Sequence, residues 1–115
     1  MLKPNYRLWL FAEGHEGVFG DGKLRLLEAI AQCGSLREAA KTMDISYRKA
    51  WGDIKKAEAC LGLALVDRSR GGASGGSSRL TDEAGRLIAA FRNLRRAIDS
   101  SVETHFRTFN QEIRR

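Results

Sequence analysis

The residues Ser46-Tyr47-Arg48-Lys49 carry the spacing Ser-x-x-Lys, in which a lysine can activate a serine for acyl transfer. That chemistry requires further motifs and a much larger fold, so Ser46 is read as a helix cap and no catalytic residue is expected. Gly71 to Ser78 has the look of a phosphate-cradling loop, but no lysine precedes its serines and no strand-to-helix turn surrounds it. Gly20-Asp21-Gly22 lacks a third glycine. His15 and His105 are isolated, and Cys33 and Cys60 sit alone within apolar helical stripes, where buried thiols are the expectation. Neither a metal site, a cofactor nor a disulfide framework has its ligands. What remains is cationic chemistry. The chain of 115 residues carries 20 Lys and Arg against 14 Asp and Glu. The excess is uneven: residues 1–34 are balanced, whereas residues 35–81 hold nine basic and five acidic side chains. A basic concentration of this kind suits an anionic partner such as nucleic acid.

The basic residues fall into three groups. Arg48 and Lys49 follow Ser46, with Gly52, Asp53 and Lys56 further along the same expected helix. Arg48 has the planar fork that reads guanine O6 and N7, and it equally suits a phosphate; Lys49 reads bases less selectively. Tyr47 suits a phosphate, a thymine methyl or the core, and Trp51 belongs with the core. Arg37 and Lys41 lie on the outer side of the preceding helix, where they contact phosphates or remain a solvated face. Arg68, Arg70 and Arg79 flank a glycine-rich loop whose Gly72 lets backbone approach sugar-phosphate, and an arginine there can enter a minor groove.

Positioning these groups requires specific elements. Tyr6 to Ala12 is apolar and reads as a short strand, followed by a loop over 14–20. Asp21 is the expected cap of a helix that starts near Gly22 and stops at Gly34, with Leu24, Leu27, Ile30 and Ala31 on one face, widened by Leu26 and Cys33. Ser35-Leu36-Arg37-Glu38 is a capping box, and Leu36, Ala39, Ala40 and Met43 stripe a two-turn helix. Asp44-Ile45 makes a tight turn, in which Asp tolerates left-handed backbone. Ser46 caps a third helix with a stripe of Ala50, Ile54, Ala57 and Leu61, closed by Gly62. Two helices joined by so short a turn are a helix-turn-helix. Residues 63–80 then read as a hairpin wing around the glycine-rich loop. Thr81 caps a last helix whose apolar positions, Leu87, Phe91, Leu94, Ile98, Val102, Phe106, Phe109 and Ile113, keep a near-heptad rhythm. That stripe outruns a domain of this size and is expected to meet a second copy. The expected fold is mostly α with a small β-wing: residues 1–81 a winged helix-turn-helix, residues 82–115 a long dimerisation helix.

Three segments carry a resemblance. They are Leu26-Leu27-Glu28-Ala29-Ile30 with Gly34-Ser35-Leu36 and Ala39-Ala40-Lys41; Ile45-Ser46-Tyr47-Arg48-Lys49-Ala50-Trp51; and Arg70-Gly71-Gly72, Gly75-Gly76 and Leu80-Thr81. Over roughly residues 20–100 the chain resembles the N-terminal domain of the ModE family of molybdate-responsive regulators and, more distantly, LysR-type regulators. The resemblance implies a cytoplasmic, homodimeric bacterial regulator of transcription that binds double-stranded DNA. Molybdate sensing is not expected to carry over, since these 115 residues are expected to end with the linker helix and to leave no room for an oxyanion-binding domain. Two other expectations stand beside this one: a module that heterodimerises with a full-length regulator, and an architectural DNA binder with little sequence preference. No apolar stretch approaches the roughly 20 residues of a membrane span, and no signal peptide is visible.

Overall fold

The computed structural model describes residues 1–68 and 78–115. In chain order its elements are β1 (Trp9–Ala12), β2 (His15–Gly20), α1 (Asp21–Cys33), α2 (Leu36–Thr42), α3 (Tyr47–Leu61), β3 (Val66–Arg68), β4 (Ser78–Leu80) and α4 (Asp82–Ile113). Each β pair is a separate antiparallel two-stranded sheet.

The first hairpin corrects the loop expected over 14–20. Trp9 pairs with Gly20, Leu10 with Phe19 and Ala12 with His15, leaving Glu13-Gly14 as a two-residue turn with Gly14 at φ 80°. Two-residue hairpin loops need such positive φ values. Glycines at 14, 17 and 20 hide the strand's alternation in the sequence, yet two of them have a packing role. The Trp9 indole lies over Gly17 and Gly20, and a Cβ at Gly20 would come within 2.5 Å of it and 2.8 Å of the Leu8 carbonyl. The hairpin is tied inward by Phe19, which is fully buried and meets Phe91 edge-to-face with ring centroids 5.1 Å apart. Lys23 Nζ also donates to the Gly17 carbonyl at 2.6 Å.

Asp21 does not cap α1, contrary to expectation. Gly20 occupies the cap position without a side-chain bond. The Asp21 carboxylate instead accepts from Leu8 N at 3.5 Å and pairs with Arg95 of α4. The buried side chains of α1 are Leu26, Leu27 and Ile30; Leu24 is half-buried and Ala31 exposed. Cys33 is exposed as well, and Cys60 is half-buried, so the expected buried thiols are not there. Cys33 ends α1, beyond its last buried side chain Ile30, and Gly34 at φ 83° follows as the helix cap.

The other caps stand where expected. Ser35 Oγ accepts from Glu38 N at 3.1 Å, Ser46 Oγ from Lys49 N at 3.0 Å, and Thr81 Oγ1 from Ala84 N at 3.0 Å. Between α2 and α3, Asp44 takes the one positive φ of a non-glycine among the described residues, 56°. Ala39 and Ala40 of α2 and Ala50, Ile54 and Ala57 of α3 close the core between those helices. Glu58 links α3 to β3 by accepting from Leu65 N at 2.8 Å and Val66 N at 3.3 Å.

Helix α4 docks through Ala84, Ile88 and Phe91. Ile88 is buried, whereas the expected Leu87 is only half-buried. Phe91 is 2% exposed, so it serves its own core rather than a second chain. Its 32 residues extend about 48 Å at 1.5 Å per residue, which gives the molecule its 67 Å long axis. Among the described residues no helix is long and apolar enough to cross a membrane.

Candidate nucleic-acid interface

The turn at Asp44 sets α3 against α2 so that one side of α3 is free of the core. Helical spacing divides that side into two rows. Arg48, Gly52 and Lys55 point away from the domain, all exposed. Lys49, Asp53 and Lys56 form the neighbouring row, turned towards the β1–β2 hairpin, where they border a groove. Lys55 was not among the residues picked out from the sequence, although its place seven positions after Arg48 was a sufficient signal.

Gly52 stands out on this face. A Cβ built there would meet nothing within 4 Å, so packing does not call for glycine. A glycine inside a helix costs about 1 kcal/mol relative to alanine. Its placement suits a helix surface approached closely by another molecule.

The serine of the Ser-x-x-Lys sequence is engaged as the α3 cap. Lys49 Nζ lies 3.2 Å from Asp53 Oδ2, and Lys41 Nζ 3.6 Å from Glu38 Oε1. Both pairs are between well-exposed lysines and same-helix acids, so each is worth little and yields readily to a phosphate. Arg37 and Tyr47 form a different arrangement. The Arg37 guanidinium lies 4.4 Å from the Tyr47 ring centroid, and Tyr47 meets Trp51 edge-on at 6.3 Å. This stack fixes the start of α3 against α2 and holds the Arg37 charge beside it. Tyr47 therefore has a packing role while remaining at the surface, and Trp51 is half-buried, in keeping with its expected place beside the core.

Wing strands β3 and β4 pair Val66 with Leu80, Asp67 with Arg79 and Arg68 with Ser78. Arg79 is exposed. Arg70 and Gly72 lie outside the described residues. Thr81 anchors the base of the wing: its hydroxyl donates to the Ala64 carbonyl at 2.5 Å, and its amide donates to the Leu65 carbonyl at 3.1 Å. The candidate residues on α2, α3 and β4 are thus held by a capped, buried framework.

Beyond Phe91, the apolar positions of α4 lose their cover. Ile98, Val102 and Phe106 are half-exposed, while Leu94, Phe109 and Ile113 are exposed, Ile113 at 52%. Near the start of this stretch, Arg95 is bracketed by acids. It pairs with Asp21, its Nε lies 3.2 Å from Asp99 Oδ1, and its guanidinium sits 4.7 Å from the Tyr6 ring centroid. Tyr6 donates to Asp99. These contacts bind the N-terminal segment and α1 to α4. The hydrogen bond from Tyr6, with Arg95 adding to it, holds the Asp99 carboxyl below its ordinary pKa.

Residues 22–85 match the bacterial regulatory helix-turn-helix proteins of the lysR family. The molybdenum transport protein ModE of Azotobacter vinelandii is 37% identical over 86 residues, which are 75% of this chain and 32% of that protein. The molybdenum transport protein ModE of Herbaspirillum seropedicae is 44% identical over 71 residues, 62% of this chain and 26% of that one. The chain thus spans a third or less of these curated relatives. Among solved structures, the CbnR_DBD–DNA complex is similar with a TM-score of 0.55 at 24% identity, covering 72% of this chain and 90% of that one.

Proposed function

The chain belongs to the bacterial regulatory helix-turn-helix proteins of the lysR family, and on that premise we propose that it binds double-stranded DNA sequence-specifically and regulates transcription. The observation that carries this reading is the exposed row Arg48, Gly52 and Lys55 on a helix capped at its start by Ser46. Arg48 and Lys49 read base edges in the major groove from the first turn of α3, where recognition helices make their base contacts. Ser46, Gly52, Lys55 and Lys56 extend the same face. Arg37 and Lys41 take phosphates from α2, with Tyr47 positioning Arg37. Arg68, Arg70, Gly72 and Arg79 of the wing follow the adjoining backbone or minor groove.

Two copies join through the uncovered α4 stripe from Leu94 through Ile98, Val102, Phe106 and Phe109 to Ile113. A two-fold dimer presents two α3 helices to half-sites about 34 Å apart, one turn of duplex. The protein acts in the cytoplasm, beside the chromosome, by binding rather than by catalysis.

Selection of bound duplexes from a random library, followed by fluorescence anisotropy on the winners, tests this. The expected result is an inverted repeat whose affinity exceeds that of random duplex by about a thousandfold or more. Equal binding of all duplexes would point to an architectural binder, and no binding at low salt would overturn the proposal.

A further inference from the structure

Beside the face assigned to DNA, and sharing Lys49 and Lys56 with it, lies a groove whose aromatic and apolar lining that assignment leaves unused. It is formed where β1 and β2 pass the start of α1 and the flank of α3, and it has a volume of about 610 Å³. Small-molecule sites commonly occupy about 300–1,000 Å³, are mostly apolar and hold a few placed polar groups. This groove follows that composition. Its floor is Leu26, Met43 and Ile45, and its wall is the aromatic pair Trp9 and Phe11, which are 40% and 66% exposed. The Trp9 indole lies against Gly17 and Gly20, so the Trp9 part of the aromatic wall is formed in advance of any ligand.

Among the described residues the charged groups at the rim are Lys23, whose Nζ donates to the Gly17 carbonyl, Lys49 and Asp53, which pair at 3.2 Å, and Lys56. Lys49 and Lys56 over the carboxylate of Asp53, beside two exposed aromatic rings, complement a molecule with a flat apolar body and a negative group. We infer that this groove binds a small planar aromatic anion, a carboxylate or sulfonate, with its ring against Trp9 and Phe11 and its charge toward Lys49 and Lys56.

Such a site has a direct route to the DNA face. Lys49 and Lys56 belong to the groove and to the α3 surface at once, so an anion neutralising them weakens phosphate binding without moving a domain. This consequence rests on the DNA-binding reading; the site itself does not.

The test uses 2-naphthoate and its neutral analogue 2-naphthamide as probes, titrated into the full chain by calorimetry without DNA. One naphthoate should bind per chain, at least about fivefold more tightly than the amide. Lys56→Met should reduce that preference while leaving amide affinity unchanged. Phe11→Ser, at an exposed position, should weaken both probes, with circular dichroism confirming the fold. Absence of saturable naphthoate binding to the folded chain up to about 5 mM, equal binding of the two probes, or a preference unaffected by Lys56→Met overturns the inference. With a bound duplex in hand, naphthoate should lower DNA affinity for the original chain and not for Phe11→Ser. A chain that binds naphthoate and no duplex would overturn the DNA reading alone.

Discussion

Arg48 and Gly52 occupy adjacent turns of one exposed row and make opposite demands on the helix that carries them. Arg48 has high helix propensity and adds charge. Gly52 weakens α3 at a point where a methyl group would meet nothing within 4 Å. Gly52→Ala is therefore expected to stabilise the folded chain by about 1 kcal/mol while reducing DNA affinity, because the added methyl enters the space where the duplex approaches. Urea denaturation and anisotropy on the same preparation separate the two effects. Arg48→Ala is expected to lower specific affinity by about 1–3 kcal/mol and to relax discrimination at one base pair of each half-site. A uniform loss across all duplexes would instead assign Arg48 to phosphate. Asp44, at φ 56°, holds a conformation that glycine adopts without a Cβ penalty. Asp44→Gly should raise the urea midpoint by an amount equivalent to about 0.5 kcal/mol, with an unchanged slope.

Besides the core they share, the elements are fastened at their ends. Thr81 caps α4 and also bonds the Ala64 carbonyl, so one hydroxyl fixes both the last helix and the base of the wing. Thr81→Ala should cost about 1–2 kcal/mol in thermal or urea unfolding. The N-terminal segment is fastened differently, through Tyr6, Arg95, Asp21 and Asp99. The folded-state pKa of Asp99 is depressed, so its contribution is present above the ordinary carboxylate range near pH 4 and is lost as pH falls through the lowered value. Asp99→Asn should therefore melt below the original chain at neutral pH, and the difference should close as the pH drops below about 4. A difference independent of pH would show that the carboxylate charge is not what fastens the segment.

At the scale of the whole molecule, α4 divides at Phe91. The part before it belongs to the domain core; the part after it leaves an apolar stripe uncovered. Phe91→Ala should destabilise the domain by about 3–5 kcal/mol, whereas Phe106→Glu should leave the fold intact and yield a monomer by light scattering. The same monomer should bind an inverted repeat far more weakly than the dimer, because the two α3 helices no longer act together. A Phe106→Glu chain that remains dimeric would place the interface elsewhere. Affinity for DNA should also fall steeply with salt, by about 0.9 in log–log slope for each phosphate contacted.

The sequence by itself determined the features governed by neighbours a few residues apart. Ser35, Ser46 and Thr81 each bond an amide three residues on, so their caps were legible at once, as were helices α2 and α3, the Asp44 turn and the heptad rhythm of α4. The family resemblance was legible in the segments around Ser35, Ser46 and Thr81. Only the tertiary structure decided what depends on distant contacts. The 15–20 segment is a strand because β1 lies beside it and the Trp9 indole rests on its glycines. Asp21 turns from capping to bonding Leu8 and Arg95 because those groups arrive from elsewhere in the chain. Cys33 is exposed because the buried part of α1 ends at Ile30, and Phe91 is internal because Phe19 meets it from β2. The aromatic and cationic groove likewise had no sequence signal, since Trp9, Lys23 and Lys56 lie far apart along the chain. Local hydrogen bonds reach three or four residues and leave a readable spacing; burial is a sum over contacts that the chain makes only once it has folded.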